Sequence, residues 1–231
     1  MFFRKSCRRT AAAVAIAGMT VSATGLAGDT DAGRYFDVTV TNLTRGQQFT
    51  PILVASHRSD VRLFEPGQPA GPGLQTVAEE GNVAPLTAEL TARPGVLEVV
   101  NSGALLDPGA SVTIRVRTAA RFDRVSVASM LIPTNDAFFA LNGERIGPDS
   151  SSRTFTVVAY DAGSERNDET CASIPGPFFD ECGGPGGGAA PAGGEEGYVH
   201  VHAGIHGTGD ISPAQRDWRN PVARITVKRV N

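Results

Sequence analysis

Apolar and polar residues alternate along most of the chain from Arg34 onward. In "YFDVTVTNL" (35–43), Phe36, Val38 and Val40 share one face, and Asp37, Thr39 and Thr41 share the other. A period of two with one apolar face is the signature of a half-buried strand. The same alternation recurs in "SVTIRVRT" (111–118) through Val112, Ile114 and Val116, and strands are also predicted over 124–132, 153–160, 197–205 and 222–230. "FTPILVAS" (49–56) is apolar without interruption, which predicts a strand covered on both faces. Turn chemistry separates these runs at "DPGA" (107–110) and "LNGE" (141–144).

One stretch follows a different period. In 71–95, Leu74, Val77 and Ala78, then Leu86 and Leu90, recur at helical spacing, with Gly81 and Gly95 as stops and Asn82 as a cap. The pattern predicts an all-β fold, an antiparallel β-sandwich with two short helices at one edge. "GGPGGGAAPAGGEEG" (183–197) has the composition of a flexible loop, yet a strand pattern resumes after it. We therefore assign one domain to residues 33–231.

The first residues read differently again. A basic start with Arg4, Lys5, Arg8 and Arg9 precedes an Ala-rich apolar stretch and small residues ending at Ala27, the form of a secretory signal over 1–27. Without its four basic residues, 17 basic stand against 24 acidic residues, a formal charge of −7. That balance excludes a nucleic-acid binder, which needs a basic face. No later segment is long and apolar enough for an integral membrane span, so the expected location is secreted, periplasmic or extracellular. Cys171 and Cys182 remain after the leader is removed, an even count that predicts a disulfide in an oxidising compartment.

Candidate chemistry gathers in two places. Asp161, Glu165, Asn167, Asp168 and Glu169 crowd the end of the predicted 153–160 strand, and residues 160–200 hold eight acids against one base, Arg166. Such a cluster repels itself unless a cation sits in it. Calcium takes six to eight oxygens, and strand-end loops supply them well. His200, His202 and His206 fall within seven residues, a spacing that can ligate zinc or copper and leave a position for water. Glu79–Glu80 and Glu195–Glu196 are neighbours on a helix and in the Gly-rich loop, and neither pair forms an acid–base couple. Trp218 reads as a packing anchor.

The order of "FTPILVASH", "GLQTVAEEGNVAPLTAEL", "SVASMLIPTNDAFFAL", "AYDAGSE" and "NPVARITVKR" resembles the spondin amino-terminal domain. That is the module of F-spondin and mindin extracellular-matrix proteins, found alone in secreted bacterial proteins. The resemblance implies a stand-alone secreted member, a non-catalytic β-sandwich acting in adhesion or recognition. It implies a calcium ion held through Asp136 of "PTND" and through Asp161 and Glu165 of "DAGSE", where the family has an aspartate in place of Glu165 and a proline in place of Asn135. Asn135 and Asp168 are further candidate donors. The partner class is an extracellular protein or a cell-surface glycan. The alternative is a small secreted metalloenzyme or transition-metal protein using His200, His202 and His206.

Overall fold

The computed structural model describes residues 33–146 and 152–230; the leader predicted over 1–27 lies outside the described residues. In chain order the elements are β1 (Arg34–Asn42), β2 (Gln48–Phe49), β3 (Leu53–His57), α1 (Pro72–Glu80), α2 (Ala84–Thr91), β4 (Val96–Asn101), β5 (Ser111–Thr118), β6 (Arg124–Ile132) and β7 (Ala137–Arg145). They continue with β8 (Arg153–Val157), β9 (Ala159–Asp161), β10 (Phe178–Phe179), β11 (Gly184–Pro185), β12 (His200–Val201), α3 (Pro213–Arg216) and β13 (Ala223–Arg229). The strands build a four-stranded sheet in the order β5-β1-β13-β8 and a larger sheet in the order β12-β9-β7-β6-β3-β4, with β2 attached to β6. Every pairing among the described strands is antiparallel.

Two buried layers account for the sequence pattern. Between the sheets, Phe36, Val38, Val40, Ile114, Val116, Ile225 and Val227 meet Val54, Val127, Phe139 and Leu141. The alternate positions of the larger sheet, Leu53, Ala55, Ala128, Phe138 and Ala140, face Leu74, Val77, Leu86 and Leu90 of the helices. The larger sheet is thus covered on both faces, which is why β3 and β6 read as continuous apolar runs. The helices sit where the edge strand β4 meets α2, and α1 extends further over β6 and β7. Gly81 ends α1 in the left-handed region at φ 67°, and Asn82 Oδ1 accepts from the backbone N–H of Ala84 at 3.1 Å.

Four local readings are corrected by tertiary pairing. Residues 141–144 are not a turn but the end of β7, where Gly143 at φ 76° marks a bulge and donates its N–H to Ser126 Oγ at 2.8 Å. The apolar run at 49–56 is broken at Pro51, so only Leu53–His57 forms a central strand. The pattern over 197–205 shrinks to the two-residue β12. The alternation over 153–160 is two strands in different sheets: β8 pairs with β13, and after Val158 the chain crosses to pair β9 with β7. Asn220 Oδ1 accepts from the Ala159 N–H at 2.9 Å at this crossing. The crossing carries Asp161 to the end of the larger sheet.

Beyond β9 the chain is largely irregular, and it is fastened at several points. Cys171 and Cys182 are joined, 11 residues apart. Gly187 and Gly188 donate to the carbonyls of Cys171 and Ala172 at 2.9 and 3.1 Å, and Gly197 donates to Gly163 at 2.8 Å. Replacing both cysteines with serine is expected to lower the unfolding free energy by roughly 3 kcal/mol, the loop-closure value for a ring of this size. Denaturant titration of the oxidised wild type beside the double variant measures it.

Candidate metal centre

The pairing of β7 with β9 places Ala137 opposite Asp161, and the Ala162 N–H donates to the Asp136 carbonyl at 3.2 Å. The two carboxylates that flank this register are therefore buried side by side, Asp136 at 0% and Asp161 at 1% exposure. Asp136 Oδ2 accepts from the backbone N–H groups of Ser164 and Glu165 at 2.8 and 3.0 Å. Its Oδ1 is buried and without a hydrogen-bond partner. Burial, followed by the charge of Asp161, pushes the Asp136 carboxyl up to about 8. Glu165 is buried as well; Oε1 accepts from the Ala190 N–H at 3.0 Å, while Oε2 has no partner. Burial pushes its carboxyl up to about 7, against the opposing Ala190 N–H and with help from the charges of Glu79 and Asp168.

The further donors predicted from sequence lie in the same loop but bind each other. Asp168 Oδ1 accepts from Asn135 Nδ2 at 3.1 Å and from the Thr170 N–H at 3.0 Å, and Oδ2 accepts from Ser173 Oγ at 2.9 Å. Burial alone would raise the Asp168 carboxyl, but these bonds hold it below its ordinary value. Asn135 Oδ1 accepts from the Glu169 N–H at 3.1 Å. Both side chains shape the loop that carries Glu165.

Two of the three histidines flank one acid, with His202 Nε2 3.6 Å from Asp161 Oδ2 and His200 Nε2 3.8 Å from Asp161 Oδ1, while His206 faces Glu169. His202 is buried against the Trp218 ring, with centroids 5.1 Å apart. The Gly204 N–H donates to its Nδ1 at 2.9 Å, so in the neutral ring Nε2 carries the proton, donated to Asn167 Oδ1 at 3.3 Å. Burial holds His202 below its ordinary value, in keeping with a neutral ring. Both of its nitrogens are thus spent on protein partners. His206 is exposed and its Nδ1 lies 3.9 Å from Glu169 Oε1, a different acid. His200 stands directly opposite Asp161 in the β12–β9 pairing, with Nε2 3.8 Å from Asp161 Oδ1 and 3.9 Å from Glu196 Oε2. Among the described residues, Asp161, Glu196 and His200 form the group whose donor atoms all lie within 4.8 Å of one another; Asp136 and Glu165 stand outside that group.

Glu196 was missed in the sequence because it sits beside Glu195 in a Gly-rich stretch. Its spacing four residues before His200 is the signal that could have found it. The loop position depends on Gly163, at φ 64°, where a Cβ would come within 2.3 Å of the Tyr198 carbonyl.

The structure is an antiparallel sandwich of two main sheets with buried carboxylates gathered under irregular loops at one end. The sequence model described as Spondin_N matches residues 40–172, and the chain belongs to that family of extracellular recognition-type domains. The family is not a known enzyme family. The match takes in Asp136, Asp161 and Glu165 and ends before Cys182, Glu196 and the three clustered histidines. No curated protein matches the chain. Among the described residues no helix is long and apolar enough to cross a membrane.

The two raised carboxyls fix a pH dependence. Native Asp136 and Glu165 hold protons, with values of about 8 and about 7, that the unfolded chain has released near 3.8 and 4.5. The native state then binds more protons, so stability falls as pH rises toward 8. His57 and His202, both held below 6.5, act in the opposite sense only beneath that value. With calcium chelated, the denaturation midpoint is expected to fall between about pH 6.5 and 8.5, and Asp136→Asn should flatten the slope. A midpoint that climbs over this window would contradict the assignment.

Proposed function

We propose that the protein is a secreted, non-catalytic adhesion or recognition module whose end loops are ordered by calcium held by Asp136, Asp161 and Glu165. The observation that carries this reading is the pair of buried, unpartnered carboxylate oxygens, Asp136 Oδ1 and Glu165 Oε2, beside the fully buried Asp161. A buried anion without a partner is costly, and a hard divalent cation offsets that cost where a further hydrogen bond is absent. The donor set is all oxygen, which suits calcium. Bound there, the ion would neutralise the acids and tie the 161–165 turn to the start of β7; these residues position the loops. The partner is an extracellular protein or a cell-surface glycan.

The metalloenzyme alternative is not favoured, since His202 spends both ring nitrogens on Asn167 and Gly204 while His206 turns to Glu169.

Elemental analysis of the purified protein is expected to give about one calcium per chain. Its melting temperature should drop on chelation and return with calcium, because a ligand at 100 times its Kd stabilises by about 2.7 kcal/mol. Asp136→Asn should abolish the response. No calcium and no chelator effect in the wild type would overturn the reading.

A further inference from the structure

The group formed by Asp161, Glu196 and His200 has chemistry that an all-oxygen calcium site does not explain. Val201 O can only accept a hydrogen bond, and His200 Nδ1 lies 3.1 Å from it, so Nδ1 carries the proton. In the neutral ring the Nε2 lone pair then faces two carboxylate oxygens, Asp161 Oδ1 at 3.8 Å and Glu196 Oε2 at 3.9 Å. Nε2 is buried and has no hydrogen-bond partner. Both separations are too long for an N–H···O bond. The three donor atoms lie within 4.8 Å of one another, wider than the roughly 3.3 Å ligand–ligand spacing of a tetrahedral ion with bonds near 2.0–2.1 Å, so an ion would draw in the two more exposed side chains, His200 and Glu196.

The three donors are also held in place from behind. Asp161 Oδ1 accepts from the Gly163 N–H and Oδ2 from Asn167 Nδ2, each at 2.7 Å. The carbonyl behind His200 fixes its tautomer as such partners do for metal-bound imidazoles. Glu196 is placed by the Gly197–Gly163 hydrogen bond of 2.8 Å, and the Tyr198 ring packs against the His200 ring at 5.4 Å. Asp161 is 1% exposed on its side chain, His200 28% and Glu196 34%, so the group opens toward solvent on the Glu196 side.

We propose that Asp161, Glu196 and His200 bind a first-row divalent metal of the zinc class. One imidazole nitrogen with two carboxylates selects such an ion over calcium, and three protein donors leave a fourth position for water or for a ligand group from a partner. This site does not depend on the calcium reading and shares only Asp161 with it.

The test is calorimetric titration of the metal-stripped full chain with zinc alone, repeated with cobalt(II) to read its visible d–d bands. About one zinc per chain is expected, with the cobalt spectrum of a four- or five-coordinate nitrogen–oxygen site. His200→Ala and Glu196→Gln should each weaken zinc about tenfold or more, while the far-UV circular dichroism and cooperative melting of the metal-free variants match those of the metal-free wild type and show that they are folded. His206→Ala should leave zinc unchanged. Failure of the wild type to bind zinc would overturn the proposal. So would zinc binding that survives His200→Ala and Glu196→Gln, or that is lost in His206→Ala.

Discussion

Two carboxylates, Asp136 and Asp161, are buried together because the β7–β9 pairing leaves them no other place. Like charges in a low-dielectric interior repel strongly, and each carries a desolvation cost as well. The surrounding chain is arranged to answer this. N–H groups of Gly163, Ser164 and Glu165, and the amide of Asn167, all point at the pair. His202, pinned by Trp218 and by the Gly204 N–H, holds Asn167 in turn. The turn at 161–165 and the chain near 202 thus take their shapes from the need to surround buried negative charge with donors.

The same device recurs through the irregular region that follows. Glu169, buried and in the left-handed region at φ 55°, accepts from the N–H groups of His206, Gly207 and Thr208. Asp210 takes the Cys171 N–H and Asp217 the Ile205 N–H. Between β9 and β13 the described strands are only two residues long, so ladders satisfy few of the backbone donors and carboxylates serve in their place. The acids at this end of the sandwich are therefore of two kinds. Asp168, Glu169, Asp210 and Asp217 are spent on the backbone or on Asn135, whereas Asp136 and Glu165 each keep an oxygen without a partner.

This division explains what could and could not be read from the sequence. The alternation of β1, β5 and β13 was legible because each has one face in the sandwich interior and one in solvent. Strands β4 and β7 are not marked by alternation, since 96–100 is evenly half-buried and the apolar start of β7 is covered on both sides. The sheet crossing at Val158 left no trace in the period, because β8 and β9 each alternate correctly on their own. The disulfide and the participation of Asp136, Asp161 and Glu165 in one acidic end followed from residue type and motif. The sorting of the histidines did not. The two-residue spacing of His200 and His202 does bring both to Asp161, at 3.8 and 3.6 Å, but β12 ends at Val201, and the Val201 carbonyl on one ring and the Gly204 N–H with Asn167 on the other set their roles separately.

The position of the family match sharpens the argument. It covers 40–172, the part that supplies both sheets with most of their strands and delivers the paired acids. The chain beyond it returns to those acids rather than leaving them: the disulfide ties Cys182 to Cys171, Ala190 donates to Glu165, Gly197 donates to Gly163, and His200 pairs across from Asp161. A loop that merely closed the domain would need backbone contacts, not an imidazole lone pair and a second carboxylate aimed at an oxygen already committed to the buried pair. The carboxyl-terminal segment therefore adds a nitrogen-containing donor set to an end of the sandwich that otherwise offers only oxygen, and Asp161 is the side chain through which the two are coupled.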